Sequence, residues 1–557
     1  MKIQYRLIQR PDFTIDDVRR YLRKFSVVDG LQVINRLSRR LYFTTPTPGM
    51  VGIEMGNDYT ITEWDLAFIA KELILSSNDH RSGLLSGDAK KIRHALFLVS
   101  NMRDPVLRGE GGITHEQRLY SLARIAYQQF RHQGWWRNAL PRTYLLYEKT
   151  WRRLPSSMDL SEASMNVFGM PLPTFLALGT ALYGLAGAEA FASFLPTAVA
   201  NIDPKLEGLR RLVTDDVNQS LWSRAATDYP GFRQLWQETL EDNPAYACFE
   251  FNPLERRPVI LTQPPVRCVV PSLSSLLLRF TDGIYHDFFN YYKSLGDHGK
   301  FTIPFGEVFQ EYVGWQLRSH FDDGMIIPDR EYRVGRDMWK GPDWIAIEDD
   351  SALLIECKAA RLMLPGKVTG EKEAIENDVK NKLVPVVAKF AEKIAHIRAR
   401  PDDYPKLHGV SNFYPVVVTL DPWWPAESFH HAIDEELTRR GIARDPYHVI
   451  SIDGLEKLLP LAAVGIKISG ILQERIDRGQ QGYFFGEELS AKIRDIGGLK
   501  ANKLLDEAFS EFFAPFVPSV CLRCYETKPN PRRNARTFYS RPWEERQATQ
   551  SLPATHV

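Results

Sequence analysis

Residues 341–358 read GPDWIAIEDDSALLIECK. Residues 343–347 and 352–358 have strand composition, and the EDDS between them has turn composition, so the stretch predicts a β-hairpin. Side chains alternate between faces along a strand. Glu356 and Lys358 therefore share one face, while Leu353, Ile355 and Cys357 share the other. Asp343 opens the neighbouring strand, where it can approach Glu356 across the pair. Residues 353–355 are apolar on both faces, as in a buried strand, and a Glu and a Lys at its end are unfavourable there unless partnered or coordinated. The plain alternative makes Asp343 a turn residue after Gly-Pro and Glu356–Lys358 a solvated charge pair.

Two carboxylates at one sheet end suit a hard divalent cation such as Mg²⁺ or Mn²⁺, which prefers oxygen ligands. The backbone carbonyl of Cys357 is a further hard donor. A cation held there would polarise a phosphodiester and lower the pKa of a bound water. Lys358 can orient that water or face the phosphoryl oxygens.

Pro342-Asp343, twelve intervening residues, then Glu356-Cys357-Lys358 resembles the signature of the PD-(D/E)XK, or restriction-endonuclease-like, nuclease superfamily. The resemblance covers residues 300–465. It implies an α/β core with a central mixed sheet flanked by helices, Mg²⁺ (or Mn²⁺) as cofactor, and catalytic roles for Asp343, Glu356 and Lys358. It also implies an additional acid from the preceding helix. Residues 305–321, FGEVFQEYVGWQLRSHF, carry Phe309, Val313 and Leu317 on one stripe, as a helix does. Glu307 and Glu311 lie four apart on one of its faces; Glu311 is the first choice, although some relatives carry Glu where this chain has Gln310.

Downstream, residues 374–400 predict one long helix carrying Lys380, Lys382, Lys389 and Lys393, and residues 413–420 predict a buried central strand. Residues 447–452 predict another strand leading into helical 454–461. Helix, hairpin, helix, strand is the order the family implies. Lys382, Lys389 and Lys393, with Arg532, Arg533 and Arg536 of the basic, aromatic-rich segment 528–546, are the candidate nucleic-acid contacts.

The rest of the chain reads differently. Residues 1–245 predict mostly helices, among them 15–25, 63–75, 89–99 and 115–131, with no fixed-period repeat. Residues 246–299 predict a connector of two short strands, 258–262 and 266–270, and a helical 272–292. Residues 466–557 predict a helical extension with a basic tail. The expected fold class is thus multidomain: a mostly α-helical N-terminal region, the α/β core and a helical C-terminal extension. The stretch 131–153 interleaves Arg with Trp135, Trp136, Tyr144 and Trp151, which suits base stacking but suits core packing better.

A formal net charge of +1 over 557 residues puts no whole-chain field towards nucleic acid or membrane, so any such surface must be local. Five cysteines make no disulfide framework, and the Cys521-Cys524 pair lacks the second pair or the histidines a zinc site wants. No P-loop is present; residues 83–90 miss its spacing, so an ATPase or sensor partner would be a separate chain. His430-His431 lack a ligand-spaced third partner. Residues 166–188 carry no charge over 23 positions, but prolines, glycines and unanchored flanks favour a buried helix over a membrane span. The first residues hold no apolar signal core, so a cytoplasmic location is expected. The expected activity is a metal-dependent nuclease, on DNA before RNA, in a bacterial restriction or phage-defence setting, with a homo-oligomer left open. The alternative is a non-catalytic nucleic-acid-binding or scaffold protein that keeps the fold.

Overall fold

The protein is described from a computed structural model. It describes residues 13–44, 53–54, 60–102, 123–133, 136–154, 158–188, 207–239, 249–262, 266–481 and 489–516, apart from 335, 363, 371, 424–425, 443–445, 490–491, 494 and 499–500. The expected contacts Arg532, Arg533 and Arg536, the pair Cys521-Cys524, and residues 115–122 of an expected helix lie outside the described residues.

The chain is multidomain in composition of elements, with helices at both ends and mixed sheet between them. A five-stranded sheet holds the quoted hairpin. Its strands are β1 (Ile326–Pro328), β2 (Trp344–Glu348), β3 (Ser351–Lys358), β4 (Asn412–Thr419) and β5 (His448–Ser451), in spatial order β5-β4-β3-β2-β1. β1, β2 and β3 are antiparallel in succession, while β3, β4 and β5 run parallel. Glu348 pairs with Ser351, so the turn is Asp349-Asp350 alone, tighter than the four residues the composition suggested. Asp349 takes φ 52°, a left-handed conformation that Asp tolerates better than most residues. Glu348 is free to accept from Ser469 N (2.7 Å) and Ile468 N (3.0 Å), fixing the start of helix Ile468–Asp477.

Each face of the sheet is covered, which explains why its strands are apolar on both sides. The helices are α1 (Gly299–Arg318), α2 (Lys372–Lys382), α3 (Phe390–Ala399), α4 (Ala426–Arg439) and α5 (Ile452–Ala462). On one face Phe309, Tyr312 and Val313 of α1 share a core with Trp344, Leu353, Ile355, Cys357 and Val418. On the other, Ile375, Val379, Phe390, Ile394 and Ile433 pack with Ile345, Ile347, Leu354 and Val417. The single helix expected over 374–400 is instead α2, a short turn Val384–Val387, and α3. Pro385 explains the break, since its ring removes an amide donor and clashes with the preceding turn. Likewise 272–292 divides into Leu273–Phe280 and Asp282–Ser294 at Thr281. Strand β1 and the two-stranded ribbon Glu331–Val334 with Asp337–Lys340 were not foreseen.

The core on the α1 face is continuous with Leu145, Trp151, Phe168, Phe175 and Leu182 of the preceding helices. Residues 18–99 gather a separate core with Phe232, Leu254 and Val269. Leu145 and Trp151 of the aromatic–basic stretch are buried in the core on the α1 face; Arg142 pairs with Glu456 (2.7 Å) and Asp453 (3.1 Å) and does not await a base. Trp135 lies outside the described residues. Among the described residues no single helix is long and apolar enough to cross a membrane. The charge-free stretch falls on Leu160–Phe168 and Leu172–Gly187, bent by 47°, and Phe175, Leu176, Leu178 and Leu182 are fully buried.

Two expectations follow. A Cβ on Gly314 of α1 would stand 2.2 Å from the Trp344 ring, whereas one on Gly306 of the same helix meets nothing within 4 Å. Gly314→Ala should lower the denaturant-unfolding free energy by about 1–3 kcal/mol through overpacking, and Gly306→Ala should raise it by up to about 1 kcal/mol. Separately, Glu63 is buried among Ser38, Ser272 and Ser274; burial lifts its carboxyl to about 7, against the pull of those hydroxyls. Between its ordinary value of 4.5 and about 7, the folded state holds a proton the unfolded state lacks. Stability is therefore lost as pH rises through that window, by about 3 kcal/mol. Glu63→Gln should flatten this part of the pH–stability curve in chemical denaturation.

Candidate active site

Asp343 and Glu356 meet at one end of the sheet. The register aligns Ile355 with Trp344, so the next pair outward is Glu356 against Asp343. Asp343 Oδ2 accepts a hydrogen bond from Cys357 N at 2.7 Å, which ties its carboxylate to β3. Asp343 O also accepts from Asp329 N at 2.9 Å, securing the end of β1. Trp344 turns its ring towards α1, where its Nε1 donates to Gln310 O at 2.8 Å. Glu356 points the opposite way, towards α3.

There it meets Lys393. The Lys393 ammonium pairs with Glu356 Oε1 and donates to Gly341 O at 2.8 Å. Both side chains are buried, about 8% and 9% exposed, so the pair is shielded from water. Burial pushes the Asp343 carboxyl above its ordinary value, opposed by the Cys357 amide and by Lys358 and Lys393. Burial and then the charge of Asp343 push Glu356 up, opposed by Lys393 and Lys358. The two acids thus feel each other and two ammonium groups. The Cys357 thiol is buried and pushed well up, so it is a packing group and not a nucleophile. Lys358 is half-buried at the strand end.

The other sequence candidates go elsewhere. α1 covers the sheet face opposite Glu356. On it Glu307 is exposed, and Glu311 Oε1 accepts from Trp315 Nε1 (2.8 Å) and Arg318 Nη1 (3.1 Å). Glu311 faces an open groove lined by Lys149, Arg153, Trp315 and Glu507. Among the described residues no group of three His, Cys, Asp or Glu side chains gathers as a metal cluster. Lys393, expected on a nucleic-acid surface, is instead the buried partner of Glu356. Lys382 bonds Asp378 (2.6 Å) and Arg361 O (2.8 Å); Lys389 is exposed.

Two carboxylates and backbone oxygen form an oxygen-only donor set, which matches a hard divalent ion whose remaining positions are filled by water. The ammonium of Lys393 now supplies the positive charge that such an ion would. Lys393 could have been read from sequence: it stands three after Phe390 and four before Ile397, on the buried stripe of α3.

Lys393→Met should leave Glu356 buried without its counter-charge and destabilise the fold by about 3 kcal/mol in urea unfolding with EDTA present. Adding Glu356→Gln to it should recover part of that loss; no recovery would mean that the two groups are not energetically coupled. No protein-family model, curated protein or solved structure matches this chain, so the chemistry of the site has to come from its own residues.

Proposed function

We propose that this chain is a divalent-metal-dependent phosphodiesterase with a restriction-endonuclease-like core, cleaving DNA in preference to RNA. The single observation that carries this reading is the meeting of half-buried Asp343 and buried Glu356 side by side at the end of neighbouring antiparallel strands. A desolvated acid pair is expensive to fold unless it serves a cation. The element order α1, β1 to β3, α2–α3, β4 supports the same family resemblance.

In this account Asp343 and Glu356 hold the ion, with the Cys357 carbonyl as a further donor. Mg²⁺ or Mn²⁺, when bound, supplies Lewis acidity towards a phosphoryl oxygen and towards a water. The Cys357 amide keeps the Asp343 carboxylate turned to β3. Lys358, two residues beyond Glu356 on the same strand face, sets a positive charge where negative charge develops on the phosphoryl group. Lys393 opposes the upward push of burial and of Asp343 on the Glu356 carboxyl and orients it from α3. A role in bacterial restriction or phage defence, the helical region acting as sensor or partner surface, extends this reading.

The Lys393–Glu356 pair favours one competing account, in which an ammonium fills the cation position for good and the sheet serves only to bind nucleic acid. Incubation of the protein with labelled single- and double-stranded DNA and RNA, with Mg²⁺, Mn²⁺ or EDTA, separates the two. Cleavage is expected only with metal, and Asp343→Ala and Lys358→Ala should each slow it at least about a hundredfold. Metal-independent binding with no cleavage, unchanged in both variants, would leave only the binding account standing.

A further inference from the structure

Strands β3 and β4 run parallel and end side by side at Lys358 and Thr419. The space beyond the carboxyl ends of parallel strands is where open α/β sheets place ligands. Arg361 follows Lys358 by three residues, Asp421 follows Thr419 by two, and Lys367 reaches the same spot from helix Leu364–Thr369. The helical half of the chain closes the recess. His286 of helix Asp282–Ser294 sets its Nε2 3.3 Å from Arg361 Nη1, and Tyr285 and Tyr127 lie beneath the two cations.

Charge in this recess is only loosely matched. Arg361 Nε is buried without a hydrogen-bond acceptor. Its carboxylate neighbour, Asp421 Oδ1, stands 3.6 Å away, beyond hydrogen-bond reach. Lys367 Nζ comes no nearer than 3.5 Å to Asp421 Oδ2. Both cations are instead held by aromatic faces: the Arg361 guanidinium 4.3 Å from the Tyr285 centroid, the Lys367 ammonium 5.4 Å from that of Tyr127. Asp282 Oδ1 adds only a contact of 4.0 Å to Arg361, so two partly buried cations, about 12% and 17% exposed, share Asp421 as their nearest carboxylate and neither holds it closely. His286 keeps exposed surface beside them, while burial and then the charge of Arg361 hold its imidazole down at about 3.

We propose that Arg361 and Lys367 form a phosphate-binding subsite that grips the nucleic-acid backbone next to the Asp343–Glu356 pair. The identity of the anion rests on the nuclease reading; the subsite itself does not. Three residues of chain reach at most about 11 Å, a distance over which one strand of a duplex carries about three phosphates. A planar guanidinium with an unused Nε suits two phosphate oxygens, and the neighbouring ammonium adds a point charge. The residues come from both halves of the chain, so an occupied recess would couple the helical region to the catalytic sheet.

The test is fluorescence anisotropy of the full chain with a labelled single-stranded oligodeoxynucleotide, in EDTA, over a salt series. Lys367→Gln should weaken binding about tenfold and reduce the slope of log affinity against log salt by about 0.7. Asp421→Asn removes the carboxylate that competes with phosphate and should tighten binding, an effect that a damaged fold would not produce. Parent-like affinity and slope in Lys367→Gln, weaker binding in Asp421→Asn, or no salt-dependent binding by the parent would each overturn the subsite. Asp343→Ala, assayed alongside, should keep this EDTA binding while losing cleavage with Mn²⁺. Binding retained without parent cleavage would sink the nuclease reading and leave the subsite; cleavage without the Lys367 effect would do the reverse.

Discussion

Two carboxyls set side by side at a sheet end, one buried and one half-buried, impose the constraint around which this part of the molecule is arranged. Asp343 and Glu356 are each pushed up by burial, and neither can be ionised there without positive charge close by. Lys393 supplies that charge from α3, and Lys358 adds to it from β3. The geometry depends on backbone as much as on side chains. The Cys357 amide anchors one acid, and the Gly341 carbonyl anchors the lysine that holds the other.

This arrangement needs both layers of helix. α1 fills one face so tightly that Gly314 is the only size of residue admitted against Trp344, which sets where Asp343 begins its strand. α2 to α4 fill the other face and bring Lys393 to Glu356. The core under α1 runs on without interruption into the helices of residues 140–186, so the sheet and that helical region share one apolar interior. The recess beyond β3 and β4 straddles the same junction, with Arg361 and Lys367 on one side and Tyr127 and Tyr285 on the other.

Much of the sheet was legible in the residues. The strand composition of 343–347 and 352–358 and the β-branched run near 416 are local signals, and each became a strand within a residue or two of its expected bounds. β1 was not legible, because three residues ending in proline carry too little pattern, and its pairing with β2 is a long-range choice. The break in 374–400 was visible as Pro385 but was outweighed by the surrounding helix formers. The lysines of that stretch show the limit most clearly. Positive charge suggested an outer surface, yet Lys393 lies on the apolar stripe of its helix and its ammonium is needed inside.

What the amino-acid order carried unaided was the hairpin and the shared face of Glu356 and Lys358, because a period of two along a strand fixes which side chains share a face. Which cations answer Asp343 and Glu356, and that Glu307 and Glu311 lie on a helix covering the opposite face, was decided only by how α1 and α3 pack. Such packing depends on contacts between residues tens of positions apart, and no local periodicity encodes which face of a sheet a helix will cover.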